Sequence, residues 1–323
     1  MRNKNTITLC QVSLKRDIPI ILKNYYSFKK YYKKIQIYII CPSKDLAYFR
    51  KKLYYKVFNI ISENKILSFK KFEFLFFKKS KNIKYQSEFR KRLSWYYQQI
   101  LKILFMINFI NEKKQNLIIW DADTILLKRI NFFSENGQSI NYGNFNEFHK
   151  QYYATNKKIL RTLPKYFISF LNQFISITVE DVLLLQKKLF NKIKIKKLSL
   201  PTKLSELILR SIFLEHKVYN GSMFSEYELI GQSNYIKNNT KQKPILTLRG
   251  GLDGILNYKQ ITLVKMLNFK HVTYEHAHPN KYSIGMLKRE QTWLGLIQII
   301  LKNLIKFYLR SIKHNYLYKK NYG

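Results

Sequence analysis

Short apolar runs alternate with segments of helical spacing through the N-terminal part of the chain, and this alternation limits the possible folds more than any other feature. Residues 6–13, 35–41 and 56–61 read as strands, the second stopped by Pro42, while 17–32 and 44–52 read as helices. Strand, helix, strand, helix, strand is the pattern of a parallel sheet with right-handed crossovers. A longer helix is expected over 87–109, where Phe89, Leu93, Tyr96, Tyr97, Ile100, Leu101, Leu104 and Phe105 form an apolar stripe. Arg90, Arg92, Gln98, Gln99 and Lys102 lie elsewhere around it.

That helix delivers the chain into Leu117-Ile118-Ile119-Trp120-Asp121-Ala122-Asp123-Thr124, an apolar strand running into Asp-x-Asp. The chain has six aspartates in 323 residues, and two of them stand here, one residue apart. On a strand, residues i and i+2 project to one side, so both carboxylates are expected together, roughly 7 Å apart at Cα. Like charges that close repel unless a cation or a set of donors lies between them. Paired carboxylates suit a hard divalent cation, Mg²⁺ or Mn²⁺. In an open α/β sheet, ligands bind beyond the carboxyl ends of the strands, where this pair falls.

Beyond residue 131 the pattern is mixed, with helices expected over 181–190 and 203–214 and short strands near 245–248 and 271–274. With no repeat and no low-complexity linker, residues 1–285 read as one catalytic domain, in which 1–130 is expected to be the nucleotide-binding half and 131–285 the acceptor-binding half. Residues 286–323 form a basic amphipathic helix and tail, in which Lys302, Lys306 and Arg310 share a helical stripe beside strongly apolar neighbours. Such a helix can lie in a membrane interface or pack on the domain with its lysines solvated.

Charge bears on partners. Lys and Arg number 59 against 19 Asp and Glu, a formal net charge of +40. The abundance of Lys, Asn, Ile, Tyr and Phe is also what A/T-rich codons produce, so genome composition and selection for a basic surface both account for it. Either way the field attracts nucleotide phosphates, acidic glycans, nucleic acid and anionic lipid. Cys10 and Cys41 read as small buried hydrophobes in a reducing compartment. No signal peptide opens the chain, and no apolar stretch of about 18 residues spans a bilayer, so a cytoplasmic location is expected.

Three segments carry a family resemblance: Arg92-Leu93-Ser94-Trp95-Tyr96-Tyr97-Gln98-Gln99-Ile100-Leu101-Lys102, Trp120-Asp121-Ala122-Asp123-Thr124, and Ser225-Glu226-Tyr227-Glu228-Leu229. The second, after a nucleotide-binding α/β half, resembles the DxD motif of GT-A-fold, metal-dependent glycosyltransferases. All three, in this order and at similar spacing, resemble an uncharacterised bacterial set of glycosyltransferase-like proteins found with surface-polysaccharide genes. The likeness covers roughly residues 6–235, with 170–183 divergent.

The resemblance implies a GT-A-like, mostly parallel sheet and an Mn²⁺ or Mg²⁺ ion bridging Asp121 and Asp123 to the diphosphate of a nucleotide-sugar. Asp123 would be the direct ligand, and Asp121 would share the metal or meet ribose or sugar hydroxyls. A late histidine often completes such a site; His276 and His278, on one face of an extended segment, are the candidates, with solvated loop histidines as the other reading. Arg92 and Lys102 are candidates to meet the diphosphate if their helix end faces the cleft, with solvated cations as the other reading, and Val12 and Ser13 are placed to meet the base and ribose. Glu226 and Glu228 are the candidate bases for the acceptor hydroxyl, Glu226 preferred, with Glu180 and Asp181 behind them. Asp17 and Asp181 also read as helix caps.

The implied partners are a nucleotide-sugar, a glycan or lipid-linked glycan acceptor and the anionic inner face of the cell membrane, with no specific nucleic acid. Two alternatives stand beside this. A nucleic-acid-binding protein accounts for the charge and the 16% aromatic content, but no binding motif supports it. A metal-dependent phosphotransferase or hydrolase accounts for the aspartates, but ten glycines offer little for a phosphate loop.

Overall fold

The fold is that of a computed structural model, which describes residues 6–80, 86–145, 147, 149–161, 168–190, 199–215, 222–238, 242–252, 254–274 and 290–322. The expected alternation is present as β1 (Thr6–Val12), α1 (Ile18–Lys29), β2 (Lys34–Cys41), α2 (Leu46–Lys52) and β3 (Phe58–Ser62). Three helices follow, α3 (Phe69–Ser80), α4 (Gln86–Arg90) and α5 (Leu93–Lys113), and lead into β4 (Leu117–Trp120) and β5 (Thr124–Leu126). Then come β6 (Tyr142–Gly143), α6 (Lys150–Leu160), β7 (Phe174–Ile177), α7 (Val179–Phe190), α8 (Leu200–Glu215) and α9 (Glu226–Asn238). The chain ends through β8 (Lys243–Pro244), α10 (Tyr258–Met266), β9 (His271–Thr273) and α11 (Trp293–Tyr322).

The main sheet has the order β3-β2-β1-β4-β7. Its first four strands are parallel, in the register Thr6 to Lys34 between β1 and β2 and Leu9 to Ile118 between β1 and β4. β7 closes the edge antiparallel, Trp120 opposite Phe174. Both faces are covered, which is why the strands read as continuous apolar runs. Leu9 faces a core with Ile21, Phe28 and Trp120, while its neighbour Cys10 faces another built on α5, α8 and α9. Both cysteines are free and buried.

The helix expected over 87–109 is two helices. Arg92, at φ −105°, ψ 9°, leaves helical geometry between them. Phe89 packs edge-on against Phe213 of α8 at 5.2 Å, whereas α5 runs beneath the sheet, and a single straight rod would not serve both contacts. α5 is buried nearly all round, Gln99 and Lys102 included, so it is a core helix rather than a one-sided surface helix. Asp181 is not the N-cap of α7 but its third residue: Thr178 N–H donates to Asp181 Oδ2 at 2.9 Å and Asp181 N–H to Thr178 Oγ1 at 3.3 Å, a capping box. Asp17 closes its own turn, its Oδ2 accepting from Leu14 N–H at 2.7 Å.

α11 is two-faced. Leu296, Ile299 and Ile300 enter a core with Leu248, Leu252, Val264 and Phe269. On another face Leu294, Leu301, Ile305, Tyr308 and Ile312 stand more than half exposed. Among the described residues no helix is long and apolar enough to cross a membrane.

His271 on β9 is fully buried beside the rings of Trp120 and Phe174. Burial, and then the nearby Arg249, push its pKa down to about 3. Between that value and the ordinary pKa near 6.5 the unfolded chain binds a proton that the folded chain refuses. Stability therefore falls as the pH drops below about 6.5, with a slope of up to about 1.4 kcal/mol per pH unit from this group. Urea denaturation between pH 7 and 4.5 should show His271→Leu losing less stability across that interval than the wild type; equal losses would refute the assignment.

Candidate active site

Parallel strands end on one side of the sheet, and the segments that follow β1, β2, β3 and β4 there line a cleft of about 1670 Å³. Val12, Ser13, Arg92, Lys102, Asp121, Asp123 and Glu226 all line it. Glu228 does not, and His276 and His278 lie outside the described residues.

The acidic pair is not on the strand. β4 stops at Trp120, and Thr124 N–H donates to Asp121 O at 3.2 Å, so Asp121 and Asp123 occupy a turn between β4 and β5. Strand alternation therefore does not bring them to one side; the turn does. Its neighbours explain the flanking sequence. The buried Trp120 indole N–H donates to Thr124 O at 2.9 Å, and Thr124 Oγ1 bonds Thr273 Oγ1 at 2.9 Å. Asp121 N–H donates to Gln173 O and Tyr274 N–H to Asp123 O. The turn is pinned at both ends to β9 and the segment before β7.

Lys102 is turned inward. Its ammonium, on a side chain 3% exposed, donates to Asp121 Oδ1 at 2.5 Å and Glu226 Oε1 at 2.6 Å, and to Tyr227 Oη at 3.4 Å. Tyr227 O–H in turn donates to Asp121 Oδ1 at 2.6 Å. Burial opposes the charge on Lys102, but Asp121 and Glu226 outweigh it and raise its pKa. Burial raises the Glu226 pKa, with Lys102 opposing, and lifts the Tyr227 phenol far above its ordinary range. A diphosphate contact from Lys102, as the sequence suggests, would break this network, so Lys102 is a positioning residue here.

The two glutamates sit on helix α9, where alternate residues diverge. Glu226 faces Lys102, and a buried carboxylate held by an ammonium makes a poor general base. Glu228 points elsewhere: it accepts from Ser169 Oγ at 2.6 Å, Phe170 N–H at 3.1 Å and Gln232 Nε2 at 2.9 Å, and burial lifts its pKa to about 7. α9 approaches this segment so closely that a Cβ on Gly231 would lie 2.2 Å from the Phe170 ring.

Residues that the sequence did not single out complete the cleft. Gln173 lines it with a left-handed backbone, φ 59°. Glu147, His149, Tyr152 and Arg249 form a further stretch, with His149 Nε2 3.0 Å from Glu147 Oε2 and Arg249 Nη1 3.1 Å from Glu147 Oε1. Their signal is spatial, since Arg249 lies a hundred residues along the chain from Glu147.

Asp121 and Asp123 suit a divalent cation. Both line the cleft, and Mg²⁺ and Mn²⁺ accept one or two carboxylates when phosphate and water supply the remaining oxygens. Among the described residues no cluster of three or more acidic, His or Cys side chains adds a further ligand.

A family model described as a family of unknown function (DUF6492) matches residues 17–248. No curated protein matches the sequence. Among solved structures, mouse xyloside xylosyltransferase 1 in its apo form is similar at 10% identity and a TM-score of 0.40, over 85% of this chain and 99% of that one. The galactosyltransferase LgtC, in complex with donor and acceptor sugar analogues, is similar at 11% identity and 0.34, over 64% and 70%. The glycosyltransferase GlyE of Streptococcus pneumoniae TIGR4 is similar at 12% identity and 0.36, over 98% and 64%.

Removing Lys102 strands two carboxylates. Lys102→Met is expected to cost about 3 kcal/mol in urea denaturation. The cost should be smaller at pH 5 than at pH 8, because Glu226 can then take a proton. Lys102→Met/Glu226→Gln should recover part of it. A pH-independent loss would mean that packing, not charge, sets the effect.

Proposed function

The chain belongs to DUF6492, and we propose that it is a metal-dependent glycosyltransferase on the cytoplasmic side of a bacterial membrane, moving a sugar from a nucleotide-sugar to a lipopolysaccharide, capsule or other surface-glycan acceptor. One observation carries this reading. The three segments that resemble the glycosyltransferase-like set meet in one hydrogen-bonded network: Lys102 from the first, Asp121 from the second, Glu226 and Tyr227 from the third. Segments more than a hundred residues apart are joined at the carboxyl edge of the sheet, where nucleotides bind in α/β folds.

In this reading Val12 and Ser13 meet the base and ribose, and Arg92 meets the diphosphate through its planar guanidinium. Asp123 and Asp121 would hold the Mn²⁺ or Mg²⁺, with His276 or His278 as the candidate further ligand. The cation, when bound, offsets charge on the departing diphosphate. Lys102 and Tyr227 both bond Asp121 Oδ1, which in this reading would leave Oδ2 for the cation. A cleft of about 1670 Å³ exceeds the 300–1,000 Å³ usual for one small ligand and leaves room for an acceptor.

The reading also gives α11 a partner. Its exposed stripe, Leu294, Leu301, Ile305, Tyr308 and Ile312, lies beside Lys302, Lys306 and Lys313, which complements an anionic lipid surface on the inner face of the membrane. Arg310 is not part of that contact; its guanidinium donates to Phe145 O. Nucleic acid has no specific role, and any duplex DNA bound through net charge should release at moderate salt.

Two measurements test these statements. With UDP-, GDP- and CMP-sugars, the wild type should hydrolyse at least one donor in Mn²⁺, and Asp123→Ala should be slower by about a hundredfold or more, the equivalent of several kcal/mol of charge stabilisation. No metal-dependent turnover with any donor would sink the assignment. In flotation assays, vesicles containing phosphatidylserine should carry the wild type but not Leu301→Glu/Ile305→Glu, and neutral vesicles should carry it weakly. Equal binding of both proteins would remove α11 from the interface.

A further inference from the structure

Resting on the glycosyltransferase reading, we infer that the stretch of cleft formed by Trp95, His149, Tyr152, Glu147 and Arg249 is the acceptor subsite and takes a pyranose ring of the glycan. Trp95 shares the start of α5 with Arg92, and the other four residues come from elements that supply nothing to the donor side. Trp95 comes from α5 and Tyr152 from α6; Glu147 and His149 precede α6, and Arg249 follows β8. All five line the cleft.

The arrangement matches the two surfaces of a sugar. A pyranose has a face of C–H groups and a rim of hydroxyls. The Trp95 and Tyr152 rings lie nearly parallel, 22° apart with centroids at 6.4 Å, and His149 rests on Tyr152 at 4.8 Å. Tyr152 is buried and acts as the backing, while Trp95 and His149 are partly exposed and offer the platform. Glu147 supplies the rim contact. His149 and Arg249 lower its pKa against the effect of burial, so it is an ionised acceptor for hydroxyl donors. Arg249 braces Glu147 from the other side, and the pair leaves this wall close to neutral, which favours an uncharged ring over a diphosphate.

The wall is also fastened to the membrane-facing helix. Asn303 Nδ2 of α11 donates to Arg249 O at 3.4 Å, and Arg310 of α11 bonds the Phe145 carbonyl just before Glu147. A lipid-linked glycan on the surface that α11 touches would thus be presented beside its own subsite.

Saturation-transfer NMR with a panel of methyl hexopyranosides and methyl pentopyranosides, and separately with UDP, GDP and CMP, tests the inference without requiring turnover. The wild type should bind at least one glycoside, with transfer concentrated on the protons of one ring face. Trp95→Ala and Glu147→Gln should weaken that binding by about tenfold, the scale of a single aromatic or hydrogen-bond contact. Trp95→Phe should keep most of it, and the nucleotide response should be unchanged in all variants. Binding of no glycoside, or loss of nucleotide binding in Trp95→Ala with glycoside binding intact, would overturn the inference, the latter by making this wall a base-stacking site. Glycoside binding in a protein that turns over no nucleotide-sugar would uphold the subsite while refuting the transferase reading.

Discussion

The buried Lys102 ammonium is the interaction on which the cleft depends. It is a single charge shared between a carboxylate from the turn after β4 and another from the start of α9. Without it, two buried or half-buried anions would face each other in a low-dielectric wall. With it, three elements share one geometry, and Tyr227 adds a second donor to Asp121 Oδ1. Both donors fall on the same oxygen of Asp121, and this fixes the carboxylate against α5 and α9.

The fold supplies this geometry by burying the sheet on both faces. Because α5 is a core helix, the charge of Lys102 emerges only at the strand ends, where the cleft opens. The same economy appears in α11, whose inner face completes a core and fastens Arg249 and Phe145, while its outer face leaves an apolar stripe in water. Cleft and outer stripe are therefore attached to each other through a few side chains.

Much of this was legible in the sequence. The strands and helices of the first sixty or so residues follow from period and from punctuation such as Pro42, and Asp-x-Asp marked the sheet edge. What misled was the assumption that β4 continues through Asp123. The indole of Trp120 reaches back to Thr124 O and closes a turn, a contact that no periodicity encodes. The burial of Lys102 is hidden for a related reason. Among 59 basic residues nothing in its neighbourhood distinguishes a buried counterion from a solvated cation. Glu226 and Glu228 flank Tyr227 in sequence, and the helical rotation of α9 sends one to Lys102 and the other to Ser169.

By itself the sequence determined the class of fold, the excess of positive charge and the position of the acidic pair, because apolar period, composition and chain order are local properties. The tertiary structure alone decided which acids meet which cation, and which residues join Glu147 in the second wall of the cleft. Those pairings link residues up to 124 positions apart, and their geometry is set by how helices pack on the sheet rather than by any neighbour in the chain.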